Sequence, residues 1–271
     1  MPNKPIALSR LALLAAGLAT LAGCATPMPR RDDPYEGFNR KIYAFNSFAD
    51  KVAIRPVAVG YRKVTNETTR RLISNFFANV ESPITIANDL LQGQPRYAFT
   101  QTSRLVINTT VGILGFFDPA SEMGIDARTT DFGVTLAKWG VPEGPYLVLP
   151  LVGPASARDA GAFPVDTFVF DPLSWYARNH DYKGYIPTIA YLVTLRSTGM
   201  EAEGLLEGAF DPYVFYRDAY RQRRLYKIYD GNPPAEAIQA LQGDDNIDID
   251  KLLEEQQRYE KQQQAKPPAK N

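Results

Sequence analysis

Cys24 and His180 are the only cysteine and the only histidine in this 271-residue chain, and that scarcity bounds what it could catalyse. A Ser-His-Asp arrangement would have to run on His180 alone. That residue sits in Arg178-Asn179-His180-Asp181, a polar stretch where a surface or capping histidine is the plainer reading. No G-x-S-x-G elbow is present. Zinc sites draw on Cys and His, so carboxylates would be left to carry any metal, and these suit calcium or magnesium. No EF-hand-like spacing occurs. Paired carboxylates about 5 to 9 Å apart could do glycosidase chemistry, and Glu122, Asp126 and Asp131 are near one another in sequence. Beside Gly124 and Thr129 they read better as turn and cap residues. Gly-rich phosphate cradles are missing. The chain is therefore expected not to be an enzyme, with no catalytic residue, no metal and no cofactor.

Cys24 has a different use. Lys4 and Arg10 precede an apolar run, Leu11 to Ala22, that ends in Leu21-Ala22-Gly23-Cys24, which is the layout of a signal peptide. The run is shorter than the roughly 20 residues that a membrane-spanning helix needs, so residues 1–23 are expected to be removed. Small residues before a cysteine at this place resemble the bacterial lipobox, which implies a diacylglycerol on the Cys24 sulfur and a further acyl chain, such as palmitate, on the new amino terminus. An ordinary signal peptide with Cys24 incidental is the other reading. Each buried CH₂ contributes about 0.8 kcal/mol, so two or more chains hold a protein firmly on a bilayer. Ala25, where inner-membrane retention would favour Asp, resembles lipoproteins sent on to the periplasmic face of the outer membrane. With Cys24 the only cysteine, no disulfide can form within the chain.

The elements that would position anything functional are helical. Thirty basic and thirty acidic residues cancel, so no bulk field draws nucleic acid, and none is expected as a partner. After a polar lipidated tether at 24–34, one domain is expected over 35–230, followed by a polar, partly disordered tail at 231–271 with a helical pattern from Lys251 to Gln264. Phe38, Ile42, Phe45, Ala49 and Val52 recur at helical spacing. Ser82-Pro83 reads as a helix start closed by Gly93, and Asp211-Pro212 as another closed by Asp230-Gly231. Further helices are predicted near 66–78, 96–115, 130–139, 156–169 and 186–206. Strands should be few, because alternation with period two is scarce.

Two segments stand apart. Arg104 to Phe117 is apolar around much of a helical circumference, so it is buried, touches lipid, or uses Asn108, Thr109 and Thr110 to face a water-filled passage. In Gly140 to Pro154 three Gly and four Pro punctuate the short apolar run Tyr146 to Val152, which reads as an extended segment or hinged loop. A rigid buried loop is the competing reading. Aromatic content, carried mainly by 15 Tyr and 14 Phe, fits either a bilayer interface or a large aromatic core.

Several blocks then point to one family. Asp33-Pro34-Tyr35-Glu36-Gly37-Phe38-Asn39-Arg40, Tyr43-Ala44-Phe45-Asn46 and Arg55-Pro56-Val57-Ala58 come first. Ser74-Asn75-Phe76-Phe77, Asn88-Asp89-Leu90-Leu91-Gln92-Gly93 and Arg104 through Gly112 follow. Asp131-Phe132-Gly133, Gly144-Pro145-Tyr146, Gly153-Pro154-Ala155-Ser156 and Asp211-Pro212-Tyr213 complete the series. Together, from about 33 to 229, they resemble the MlaA (VacJ) family of outer-membrane lipoproteins. The resemblance implies an all-α, ring-shaped domain in the inner leaflet of the outer membrane, with an amphipathic channel that takes mislocalised phospholipids from the outer leaflet. It implies retrograde phospholipid transport that maintains lipid asymmetry. As partners it implies phospholipids, a trimeric porin, a soluble periplasmic phospholipid carrier (MlaC-like) and, indirectly, an inner-membrane ATP-driven transporter.

Such a path needs a hydrated headgroup and apolar surroundings for the tails, since burying an unpaired charge is prohibitive. Candidate channel or lipid contacts are Asn108, Thr109, Thr110, Val111, Leu114, Tyr146, Leu147, Val148 and Leu149, with walls from the helices near 96–115 and 186–206. Gly140 and Gly144 are the candidate hinge. Arg158 and Asp159 suit a pair or cap better than a phosphate grip. A structural or porin-assembly lipoprotein that moves no lipid is the second reading, and a periplasmic hydrolase a distant third.

Overall fold

The computed structural model describes residues 33–204 and 208–243. The signal peptide, Cys24, the tether up to residue 32 and the Lys251–Gln264 pattern lie outside them. Helices dominate: α1 (Glu36–Ala49), α2 (Arg55–Val64), α3 (Glu67–Leu91), α4 (Pro95–Thr110) and the short α5 (Pro119–Glu122) come first. Next are α6 (Phe132–Lys138), the antiparallel strands β1 (Tyr146–Leu149) and β2 (Gly153–Ser156), and α7 (Ala157–Val165). Then come α8 (Pro172–Asn179), α9 (Ile186–Gly199), α10 (Pro212–Ile228) and α11 (Ala235–Gly243). Wider π-helical turns join α1 to α2 and extend α7, at Asp50–Ile54 and Asp166–Phe170.

Local chemistry explains the starts. Asp118, Asp171 and Asp211 each precede a proline, and each carboxylate accepts from backbone N–H groups of the first turn. An acceptor at the cap and a residue needing no N–H partner just inside it are what a helix start requires. Asn66, Asp131 and Ser156 cap α3, α6 and α7 in the same way, at 2.8, 3.1 and 3.1 Å. Gly93 at φ 68° follows the end of α3, and Asp230 and Gly231 at φ 53° and 91° end α10.

Four expectations need correction. Ser82-Pro83 opens no helix. Pro83 lies inside the 25-residue α3, and Ser82 Oγ donates back to the Ala78 carbonyl at 3.1 Å. Proline removes an N–H bond but cannot end a helix whose flanks are both held by packing, and α3 lies against α4, α6, α8 and α9. The helix expected over 96–115 stops at Thr110, and Ile113 and Leu114 adopt φ of 53° and 59°. Gly112 and Gly115 allow this tight coil, because a side chain at either would collide with the Asn108 and Phe117 carbonyls or with Asn79. At the domain's edges, Asp33, assigned to the tether, is fully buried, and the tail contributes α11, which packs on α10.

The distribution of polarity is inverted for a water-soluble fold. Half of the buried apolar residues described are alanines, and Phe77, Val134, Tyr146, Val148, Leu173 and Tyr213 are the larger members. Buried polar residues include Asn39, Asn79, Asn88, Asp89, Gln101, Arg104, Asn108, Arg217 and Arg224. Large apolar side chains point outward instead: Phe99 is 75% exposed and Val111 71%, with Phe48, Val106, Ile113, Phe117, Trp175, Ile189, Leu192 and Leu195 also exposed. Isolated exposed apolar residues are ordinary, but so many beside a polar interior are not. No helix among the described residues is long and apolar enough to cross a membrane.

Candidate functional site

The hairpin and the helices around it form the best-defined constellation. Tyr146 and Val148 alternate inward from β1 and pack with Tyr213 of α10, against Ile42, Tyr43, Val214 and Tyr220. The rings of Tyr43 and Tyr213 lie 5.7 Å apart edge to face, and those of Tyr146 and Tyr220 5.8 Å apart. Tyr146 and Val148 are thus core residues, closed to lipid in this arrangement. Leu147 and Leu149 are half-buried, and the apolar surface of the segment is presented by Leu151 and Val152 at the turn.

Two asparagines of α1, seven residues apart and therefore on one face, hold this hairpin as a neighbouring strand would. Asn39 donates to the Tyr146 carbonyl at 3.0 Å and accepts from the Val148 N–H at 2.9 Å. Asn46 donates to the Leu149 carbonyl at 2.9 Å and accepts from the Leu151 N–H at 2.8 Å. A side-chain amide presents a donor and an acceptor side by side, so it can satisfy an unpaired strand edge. Asn39 is itself oriented by Asp33 at 2.8 Å, and Tyr213 donates its hydroxyl to the same carboxylate. Arg40 forks onto Asp211 at 2.7 and 3.2 Å. The opening Asp33-Pro34-Tyr35 and the later Asp211-Pro212-Tyr213 thereby meet. Neither Asn39 nor Asn46 was singled out from the sequence as a site residue; the signal available was their seven-residue spacing on an apolar helix.

Gly140 and Gly144 both have positive φ, 87° and 70°. Open space surrounds Gly140, whereas a Cβ at Gly144 would stand 2.9 Å from that of Ala157. The segment between them carries the Val141 and Glu143 carbonyls, which accept from the Arg158 side chain and the Arg158 N–H at 3.3 and 3.1 Å.

The candidate channel residues on α4 divide. Asn108 is buried, donates to Asp118 at 2.8 Å and accepts from the Ala120 N–H at 3.1 Å. Arg104 grips the same Asp118 at 2.9 Å and reaches the Ile125 carbonyl. These two brace the turn into α5. Thr109 accepts from Asn79 at 3.0 Å, and Thr110 returns its hydroxyl to the Val106 carbonyl at 2.7 Å. Val111 and Leu114 face outward.

A second polar layer ties α6, α7 and α10 together. Arg224 forks onto Asp131 at 2.7 and 2.9 Å and reaches Asp159 at 2.7 Å, while Tyr220 donates to Asp159. Burial would raise the Asp131 carboxyl, but the charges of Arg224 and Lys227 outweigh it and hold the group at about 2. Asp166 feels only a weak pull from Arg224. Burial pushes it up to about 6, although the Phe132 N–H and the Asn88 amide donate to it at 2.8 Å each. Asn88 accepts from Thr135 at 2.7 Å, and Gln92 extends the chain to Thr130 and Thr135. Arg158 lies 3.3 Å from Asp159, so this pair is internal, as the sequence suggested.

The remaining chemistry-bearing residues stay apart. His180 lies on the surface, its Nδ1 2.9 Å from the Tyr176 carbonyl and its ring stacked on Tyr176. Asp131 caps a helix and pairs with Arg224, while Glu122 and Asp126 are exposed. Among the described residues no group of three or more His, Cys, Asp or Glu could hold a metal.

Comparison with known proteins gives the arrangement its context. The family model of the MlaA lipoprotein matches residues 31–227. An uncharacterized protein of Rickettsia prowazekii (strain Madrid E) is 38% identical over 192 residues, 71% of this chain and 76% of that protein. The intermembrane phospholipid transport system lipoprotein MlaA of Escherichia coli (strain K12) is 37% identical over 254 residues, 89% of this chain and 98% of that one. Its counterpart in Haemophilus influenzae is 31% identical over 244 residues, with 85% and 93% covered. A solved structure addressing maintenance of bacterial outer membrane lipid asymmetry superposes with a TM-score of 0.62 at 32% identity, covering 74% of this chain and all of that one.

Proposed function

The chain belongs to the MlaA lipoprotein family, and from that premise we propose that it removes mislocalised phospholipid from the outer leaflet of the outer membrane by conduction and not by catalysis. The observation that carries the reading is the inverted polarity. Outward Phe99, Val106, Val111, Ile113, Leu192 and Leu195 would gain an apolar medium, at about 1.5 to 3 kcal/mol for each fully buried side chain. The polar interior would offer a headgroup partners that acyl chains cannot. In this reading the domain lies in the inner leaflet as a ring, held by lipid on Cys24 after removal of residues 1–23.

A lipid passing through needs no nucleophile, and energy would enter elsewhere, through a soluble carrier and an ATP-driven inner-membrane complex. A trimeric porin is the proposed neighbour within the membrane. Leu151 and Val152 at the hairpin turn, with Leu147 and Leu149 behind them, are the proposed lipid contacts of that segment. Any hinge motion at Gly140 and Gly144 would have to break the bonds from Arg158 to the Val141 and Glu143 carbonyls and those by which Asn39 and Asn46 hold the hairpin. Gly140→Pro with Gly144→Pro tests it: unchanged outer-leaflet phospholipid would rule the motion out.

The test of the function is the amount of outer-leaflet phospholipid in a strain lacking the protein, complemented with the wild type or with Cys24→Ala. A rise reversed only by the wild type is expected. Envelope defects with no rise would favour the structural, porin-stabilising reading.

A further inference from the structure

We propose that the cavity between α10, the start of α4 and the loop before α6 binds the phosphate group of a phosphate ester, and that the ester is a phospholipid headgroup. The cavity holds about 600 Å³ and is lined by Arg128, Arg223, Lys227 and Asp230, with Tyr97 and Tyr226 at its walls. That volume falls within the range of organic-ligand sites and exceeds what a bare inorganic ion needs.

Charge is unequally shared around it. Asp230 serves both Arg128 and Lys138, each at 2.8 Å, and Asp131 serves both Arg224, at 2.7 Å, and Lys227, at 3.3 Å. Asp89 and Asp159 give Arg128 and Arg224 a second carboxylate each, at 3.2 and 2.7 Å, so these pairs balance and the positive charge left over at the cavity is that of Arg223. Arg223 is exposed, and no hydrogen bond or ion pair engages it among the described residues. Burial holds the Lys227 ammonium below its ordinary value, and repulsion from Arg223 and Arg224 adds to this against the pull of Asp131. An anion between Arg223 and Lys227 would relieve that repulsion, and a phosphate has oxygens enough for a guanidinium and an ammonium at once. Arg128 is already fixed, stacked 4.1 Å over the Tyr97 ring and bonded to Gln94 and Asp230. It therefore forms a rigid rim, and the Tyr97 and Tyr226 rings suit the ester's carbon skeleton.

The lipid as source rests on the transport reading; the phosphate chemistry does not. Full-length acylated protein in a maltoside detergent would be titrated with dihexanoylphosphatidylglycerol below its micelle concentration, with dihexanoylglycerol, and with inorganic phosphate. We expect the phospholipid to bind, the phosphate-free diacylglycerol not to bind, and Arg223→Gln to weaken the phospholipid at least tenfold. Lys227→Gln should act similarly and Lys227→Arg should restore binding, while Arg71→Gln on the exposed face of α3 changes nothing. Inorganic phosphate binding as tightly as the ester would make free phosphate the ligand and overturn the lipid assignment. Wild-type affinity in Arg223→Gln, or no binding of either phosphate compound, would overturn the site. Normal lipid removal in cells carrying Arg223→Gln would sink this site alone, whereas failure of the wild type to lower outer-leaflet phospholipid would sink the transport reading.

Discussion

α9 and α10 are inverted in different ways. α9 turns Ile186, Ile189, Leu192 and Leu195 outward and buries Thr194 and Ser197. α10 carries four arginines, yet Arg217 is 0% and Arg224 9% exposed, with Tyr213 buried beside them. One helix hides Thr194 and Ser197 from its surroundings, and the other hides Arg217 and Arg224 among carboxylates and phenols. The comparison teaches that both helices are organised around a polar interior and that what differs is the surface each turns outward, apolar on α9 and more polar on α10. In the proposed reading α9 faces hydrocarbon. α10 contributes the ion pairs that hold α6 and α7 in place.

Breaking the α10 side should have the largest effect. Arg224→Met leaves Asp131 and Asp159 without their shared cation, and removing one partner of such a buried set costs about 3 to 5 kcal/mol. Denaturant unfolding in detergent would measure it, and a loss below 1 kcal/mol would mean that the network is solvated.

On the α9 side, Leu192→Glu should leave stability in detergent nearly unchanged while weakening the hold on lipid. A charge placed in hydrocarbon costs about 2.5 to 3.5 kcal/mol, so flotation of the Cys24→Ala protein with phospholipid vesicles should fall by more than tenfold. Unchanged flotation would show that α9 does not face lipid.

A smaller effect is expected where α1 clamps the hairpin. Asn46→Ala removes two bonds to the turn, at about 0.5 to 1.5 kcal/mol each. The Leu151 amide should then exchange its hydrogen faster while the Val148 amide, held by Asn39, keeps its protection. Equal acceleration at both would mean that the hairpin opens as one unit.

The subtlest test concerns Asp166, whose carboxyl is raised from 3.8 to about 6. The folded state holds that proton more tightly than the unfolded chain. Its contribution is therefore fully present below pH 3.8 and is lost as pH rises through about 6. Asp131, held at about 2, works in the opposite sense and is lost only as pH falls through that value. Melting temperatures of Asp166→Asn between pH 4 and 6.5 should lack the wild type's decline, after allowance for one lost hydrogen bond. A parallel decline would assign the pH dependence to another group.

Local signals were legible where one residue and its near neighbours suffice. Asp211-Pro212 and Asp131 were legible as cap residues because a cap is a contact over two or three residues. Gly140 to Pro154 was readable as extended because its prolines and glycines exclude a helix whatever lies nearby. The same reasoning failed at Ser82-Pro83, where packing on both sides of α3 overrode the local preference, and at Thr110, where apolar residues concealed a coil that depends on Gly112 and Gly115. Asn108 and Tyr146 were readable as polar and apolar. Whether they face a passage, a lipid or each other's neighbours depends on Asp118 and Tyr213, ten and sixty-seven residues away.

By itself, then, the sequence determined the helical class, the helix caps, the scarcity of catalytic groups, the signal-peptide pattern ending at Cys24 and the family blocks. These follow from residue type and short spacing. Only the tertiary structure decided which side of each helix is outside. An amphipathic helix reads the same whether its apolar face meets a core or a membrane, and the choice is made by the partners that satisfy its polar face. Here those partners are Asp118 for Arg104, fourteen residues on, and, from distant parts of the chain, Asp33 for Tyr213 and Asp131 with Asp159 for Arg224. Once they close on one another, the apolar residues have nowhere to go but out.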